Sequence, residues 1–139
     1  MSFRKEEKIQ TNFYQQKVLL NKILKLGANQ LYPERQISSI YFDNKFYEMF
    51  KDSEEGILPR KKIRIRSYNK DYNNYFFEKK ISSYEGKFKL SNKLESNAYK
   101  RLLKEGCLDE KYGMCYPLLK ISYIRNYYKL KNLRFTFDK

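Results

Sequence analysis

The sequence predicts an α+β fold, an antiparallel β tunnel or barrel with two or three helices packed outside it. Three observations lead there. Nearly every β-like stretch alternates charged with apolar residues, so each strand has one charged and one apolar face. Two helical stretches carry an apolar stripe that needs a sheet to cover. Aromatic residues make up 17% of the chain, mostly Tyr and Phe, which argues for a folded β-rich protein and against a disordered basic tail. In a plain sandwich the charged faces would look outward on both sides and leave the helices little apolar sheet to cover. A tunnel lined by the charged faces leaves the apolar faces outside for the helices.

The 139 residues suit one domain, read as spanning 1–139. Thirty Lys and Arg against sixteen Asp and Glu give +14 with no histidine, so the charge cannot be switched off near neutral pH. The expected partners are anionic. Cys107 and Cys115 cannot build a four-ligand zinc site without histidine, and they read as free thiols. Residues 1–8 are charged and lack the apolar run of a signal peptide, and no stretch approaches the ~18 apolar residues of a membrane span. A soluble, cytoplasmic protein is expected.

Taken in order, residues 3–9 read as a strand with Arg4, Glu6 and Lys8 on one face. Thr11 or Asn12 caps a helix from about Phe13 to Leu26, with Val18, Leu19, Ile23 and Leu26 on one face and Gly27 as the stop. Pro33 marks a loop before a strand over 36–43, in which Ile40 and Phe42 oppose Ser39, Tyr41 and Asp43. A short helix is expected over 45–51, closed by a turn at Gly56.

Residues 60–68, R-K-K-I-R-I-R-S-Y, then place Arg60, Lys62, Arg64, Arg66 and Tyr68 on one face and Ile63 and Ile65 on the other. Like charges in one file, about 7 Å apart, repel unless an anion or water lies between them. A solvated edge strand bearing gatekeeper charges would also read this way. Repetition of the pattern in other strands favours a polyanionic ligand. Residues 75–81 return as a hairpin strand with Glu78 and Lys80 on one face, and 87–90 alternate again. A helix over 91–105 ends at Gly106, Pro117 opens the last segment, and strands over 119–128 and 133–139 close the chain.

The polar faces together hold about eight cations and three carboxylates, Glu6, Glu78 and Asp138. Arginine dominates, and its planar fork suits bidentate contact with phosphate. Each carboxylate either pairs with a neighbouring cation or holds a divalent metal through oxygen.

The motifs R-x-E-x-K at Arg4, Glu6 and Lys8, S-I-Y-F-D at Ser39 to Asp43, R-x-K-x-R-x-R-x-Y from Arg60, E-x-K at Glu78 and Lys80, Y-x-R at Tyr123 and Arg125, and R-x-T-x-D at Arg134 to Asp138 resemble, in order, the VTC domain. That is the polyphosphate polymerase domain of vacuolar transporter chaperone proteins and their bacterial relatives, in the triphosphate tunnel metalloenzyme superfamily (CYTH-like). The resemblance implies an antiparallel tunnel, ATP as donor, inorganic polyphosphate as product and a divalent metal, manganese or magnesium.

It also implies that Lys8, Arg64, Arg66, Lys80, Lys89, Arg125 and Arg134 contact phosphate, with Lys87 the other candidate beside Lys89. Arg60 and Lys62 join this set from the basic strand. Arg64, Arg66, Lys80 and Arg125 would supply the electrostatic catalysis of γ-phosphoryl transfer to a growing chain. Family members continue past R-x-T-x-D into a second E-x-K that carries the main metal ligand. Here that motif is missing, which leaves Glu6 and Glu78 as metal candidates and implies a tunnel incomplete on its C-terminal side. The open edge at 134–138 would invite a second chain. Other readings are an inactive polyphosphate- or nucleotide-binding module, a triphosphate hydrolase, and a single-stranded nucleic-acid binder using Tyr68, Tyr123 and Tyr127. Nucleic acid is disfavoured because the basic residues converge on a narrow lumen, and a membrane-surface role is weaker still.

Overall fold

The computed structural model describes residues 6–71 and 73–139. Its elements are α1 (Phe13–Lys25), β1 (Asn29–Asp43), α2 (Glu48–Glu55), β2 (Arg60–Tyr68), β3 (Tyr75–Ser82), β4 (Lys87–Leu94), α3 (Ser96–Glu105), β5 (Cys107–Asp109), β6 (Gly113–Leu130) and β7 (Leu133–Asp138). The strands form one antiparallel seven-stranded sheet in the order β4-β3-β2-β1-β6-β5, with β7 also paired to β6. The sheet is not closed: no pairing joins β4 to β7 among the described residues. The chain divides into two compact units, residues 35–124 and residues 1–34 with 125–139.

In the larger unit, Ile40 stands opposite Ile65 and Phe42 opposite Ile63, so their side chains share one face of β1 and β2. Ile63 and Ile65 are fully buried there. Met49 of α2 and Tyr99, Leu102 and Leu103 of α3 pack on the same cluster. Helices therefore cover the apolar face, as the alternation requires, and Ser39, Tyr41, Arg64 and Arg66 are left on the other.

Two buried carboxylates fix the helix side. Asp109 takes the Lys61 ammonium at 3.0 Å and the backbone amides of Lys111 and Tyr112. Burial opposes its ionisation, but Lys61 and these amides outweigh that and hold its carboxyl below the ordinary aspartate value. Asp43 accepts the amides of Asn44, Met49 and Phe50, and the Asn44 side chain accepts those of Phe46 and Glu48. These bonds occupy residues 44–47 as a capping turn, so α2 starts at Glu48 rather than at 45 and runs on to Glu55.

In the smaller unit, α1 begins with a capping box. The Asn12 side chain accepts the Gln15 amide at 2.8 Å, and Gln15 returns the bond to the Asn12 amide. Its stripe of Leu19, Leu20 and Ile23 packs with Ala28, Phe135 and Phe137. Gly27 adopts φ +94°, the left-handed stop expected after this helix.

Several expected boundaries are corrected. Residues 6–12 are irregular rather than strand, and residues 3–5 of that stretch, with Arg4, lie outside the described residues. Glu6 to Lys8 are all exposed and Ile9 is 73% exposed, so nothing there is buried to hold a strand. Residues 91–94 extend β4 instead of starting a helix, because Ser91 and Leu94 pair with Glu78 and Tyr75. The strands also run through Pro33 and Pro117. Pro33 lies outside the β1 to β2 register and Pro117 beyond the β5 pairing, where a missing N–H breaks neither of those ladders.

The three-residue β5 has no sequence signal of its own length. It pairs Cys107 with Cys115, and both remain free thiols. Burial pushes the Cys115 thiol up to about 12. Gly106 is required at this corner, since a Cβ would meet the Cys115 carbonyl oxygen at 2.3 Å.

Candidate functional site

The charged face of β1 to β4 is built in rows set by strand register. One row is Tyr41, Arg64, Glu78 and Ser91; the next is Lys62, Lys80 and Lys89. Alternation along each strand puts both rows on the same side.

Glu78 is the centre of the first row. Its Oε2 lies 2.6 Å from Arg64 Nη2 and 2.7 Å from Arg64 Nε, and 3.9 Å from Arg66 Nε, while its Oε1 takes Lys89 Nζ at 2.7 Å. Glu78 is 2% exposed and Arg64 7%. Burial opposes ionisation of Glu78, yet hydrogen bonds from Lys89 and Arg64 and the charges of Arg64 and Arg66 win, and its carboxyl sits below the ordinary glutamate value. For Arg64, burial again opposes the charge, while the Tyr41 hydroxyl and Glu78 raise its pKa. Arg64 Nη1 donates to the Tyr41 hydroxyl at 3.2 Å, and Arg66 Nε reaches the Ser39 hydroxyl at 3.5 Å.

One carboxylate thus faces three cations, an electropositive group held in a fixed geometry. The adjacent row adds Lys62 and Lys80, with Lys80 directly opposite both Lys62 and that same Lys89 on strands about 4.8 Å apart. Like charges so placed are destabilising unless an anion is shared among them. Lys62 and Lys80 are exposed, and Lys62 has no ion-pair partner among the described residues. The pairing also separates Lys89 from Lys87: Lys89 stands opposite Lys80 and binds Glu78, whereas Lys87 stands opposite Ser82.

The remaining expected residues are not members of these two rows. Arg60 is half-buried opposite Ser82 and donates to the Ile57 carbonyl at 3.3 Å. Arg125 grips Asp138 through two parallel bonds of 2.6 and 2.7 Å in the smaller unit. Arg134, exposed, stands opposite Lys129 in that unit. Lys8 and Glu6 are exposed and precede α1.

Sequence reasoning passed over Ser39 and Tyr41 as contact residues. Their signal was present, since both oppose Ile40 and Phe42 in the alternation, but only the β1 to β2 register shows them facing Arg66 and Arg64. Arg35, half-buried with its guanidinium 6.0 Å from the Tyr68 ring, falls on the same β1 face and was hidden beside Pro33.

The Glu78 carboxylate is taken up by Arg64 and Lys89 rather than left open to a divalent metal, and Glu6 stands exposed ahead of α1. No group of three His, Cys, Asp or Glu that could hold an ion occurs among the described residues. Glu78, moreover, already meets three cations that would repel a fourth.

Residues 3–139 match the VTC domain family. The chain belongs to that family. Solved structures agree on the fold. A candidate adenylate cyclase from Bacillus halodurans superposes with a TM-score of 0.65 at 13% identity, over 92% of this chain and 67% of that one. A second candidate adenylate cyclase, from Vibrio parahaemolyticus, gives 0.55 at 10% identity, over 88% and 61%. A protein of Pyrococcus horikoshii gives 0.50 at 15% identity, over 85% and 64%. This VTC domain thus spans about two thirds of the length of those structures and shares their fold. No curated protein matches it. No helix among the described residues is long and apolar enough to cross a membrane.

Proposed function

We propose that this VTC domain binds the phosphates of ATP and of inorganic polyphosphate on the charged face of β1 to β4, and that it transfers the γ-phosphoryl group of ATP to the end of a growing polyphosphate chain. The observation that carries this reading is the Arg64, Arg66 and Lys89 group around buried Glu78, next to the Lys62, Lys80 and Lys89 row. Phosphoryl transfer asks for positioning and charge neutralisation rather than a nucleophilic side chain. Glu78 holds the fork of Arg64 in place, faces Arg66 at 3.9 Å and is a positioning residue. Arg64, Arg66, Lys80 and Lys89 face the charge that spreads over the transferring phosphoryl oxygens, and Lys62 extends the track.

Arg125, Arg134, Lys8 and Arg60 belong to the same proposal through the family resemblance. A divalent ion, manganese or magnesium, would come in on the phosphate oxygens of the substrate, because the Glu78 carboxylate is already taken up by Arg64 and Lys89. A cytoplasmic setting, and a second chain adding to the sheet edge, complete the reading.

One observation favours a second reading, a binding module without turnover. The buried carboxylate is occupied by cations, so the described residues supply no metal ligand set. Incubating the purified chain with ATP and manganese, then assaying acid-stable polyphosphate, separates the two. Chain growth that falls in Arg66→Ala supports the polymerase. Phosphate release without growth means hydrolysis, and tight tripolyphosphate binding with no turnover means a binding module.

A further inference from the structure

The face of the sheet opposite Arg64 and Arg66 holds a small polar cavity of about 140 Å3. Alternation places it there: Ser38 and Ile40 of β1 stand opposite Ser67 and Ile65 of β2, each one position along from a residue of the charged face. Ser122 of β6 completes a row of three hydroxyls, its Oγ 2.9 Å from Ser38 Oγ. One of those two donates to the other, which leaves the second proton free to turn into the cavity. The Ser67 hydroxyl has no partner among the described residues. Two lysines form the rim, Lys120 of β6 and Lys70 of the turn after β2. Asn69 fixes that turn, donating its amide to the Gln36 carbonyl at 2.8 Å and accepting the Gln36 amide on its side chain at 3.0 Å. Both lysines are exposed and have no ion-pair partner among the described residues, and the described lining contains no carboxylate. From α3, Tyr99 stacks on Tyr75 with ring centroids 3.8 Å apart. Burial, and then the Tyr75 hydroxyl, push the Tyr99 phenol up to about 12, so it keeps its proton at neutral pH.

We propose that this cavity binds a single phosphate group, as inorganic phosphate or as the head of a small phosphomonoester, at a site separate from the charged face. Hydroxyl and ammonium donors reach it from three strands and a turn, which suits a tetrahedral oxyanion with several acceptor oxygens. Two lysine charges without a carboxylate match a phosphate dianion and disfavour a cation. Size narrows the class further. With a water taking about 30 Å3, the cavity admits one phosphate with little to spare, whereas pockets for drug-sized ligands run to about 300–1,000 Å3. A polyphosphate chain therefore suits the open row of Lys62, Lys80 and Lys89, and a lone phosphate suits the cavity. The two sites share no side chain, so the inference does not rest on the phosphoryl-transfer reading and the two can fail separately.

The test is titration of the full chain at constant ionic strength with inorganic phosphate, glycerol 3-phosphate and tripolyphosphate, followed by two-dimensional amide NMR. Wild type is compared with Lys70→Gln/Lys120→Gln, with Ser67→Ala, which keeps the charge, and with Arg64→Lys/Arg66→Lys. Thermal melts check that each variant folds. The expected result is a saturable shift of the Ser38, Ser67 and Ser122 amides with at least one of the two small ligands. That affinity should fall about tenfold in Lys70→Gln/Lys120→Gln and about threefold in Ser67→Ala, with tripolyphosphate affinity unchanged in both. Whichever small ligand binds more tightly identifies the source of the phosphate. No saturable shift with either, or a loss of their binding only in Arg64→Lys/Arg66→Lys, would overturn the site and leave the charged-face reading standing. If the small ligands bind at the serines while tripolyphosphate does not bind wild type, the charged-face reading falls and the cavity site is upheld.

Discussion

Arg64 with Glu78 and Arg125 with Asp138 are the same chemical pair in two settings. Each arginine offers two nitrogens to its carboxylate at 2.6 to 2.7 Å. The side chain of Glu78 is 3% exposed, however, and that of Asp138 is 45% exposed. Glu78 also answers Arg66 and Lys89, whereas Asp138 lies at the end of β7 in a unit whose core is a single small cluster. Burial is therefore what separates them. A buried carboxylate that loses its charge leaves desolvated cations uncompensated, while an exposed pair exchanges its contacts for water at little cost.

The largest effect should follow from Glu78→Ala. Removing one partner of a buried ion pair costs about 3–5 kcal/mol, read as a fall in the urea midpoint. A loss below about 1 kcal/mol would erase the difference between the two regions.

Acid should act through the same residue. The Glu78 carboxyl is depressed in the folded state, so the stability it contributes is present above its ordinary value of 4.5 and is lost as pH falls through the lower folded value. Melts below pH 4.5 should drop steeply in wild type and less steeply in Glu78→Gln. Equal slopes would show that Glu78 does not carry the acid transition.

Asp138→Asn should cost no more than about 1 kcal/mol, and added salt should shrink even that, since an exposed pair is screened. A larger, salt-insensitive loss in denaturant unfolding would mean that this pair matters to the fold as much as the buried one.

Much of the larger unit was legible in the sequence. Alternation in β2 and β3 assigned Ile63 and Ile65 to the core and Arg64, Arg66 and Glu78 to one face, because a period of two leaves only two faces to choose from. What alternation could not supply was register. That Lys89 rather than Lys87 meets Glu78, and that Tyr41 caps Arg64, depends on which residues pair across strands. Glu78 is the clearest case. As a carboxylate among cations it fitted either a metal or an ion pair, and only its distances to Arg64 and Lys89 show what surrounds it. The expected strand over its described residues 6–9 and the helix expected from 91 failed for a related reason: local pattern names a periodicity, and tertiary pairing decides whether it is used.

The most direct test of the charged face as a phosphate site is titration of tripolyphosphate into wild type and into Arg64→Lys/Arg66→Lys, which keeps both charges but removes the planar forks. Saturable one-site binding by wild type, weakened about tenfold or more in the double variant with its melt largely preserved, is the predicted result. Equal affinities in the two proteins would contradict it and return the face to a solvated run of charge.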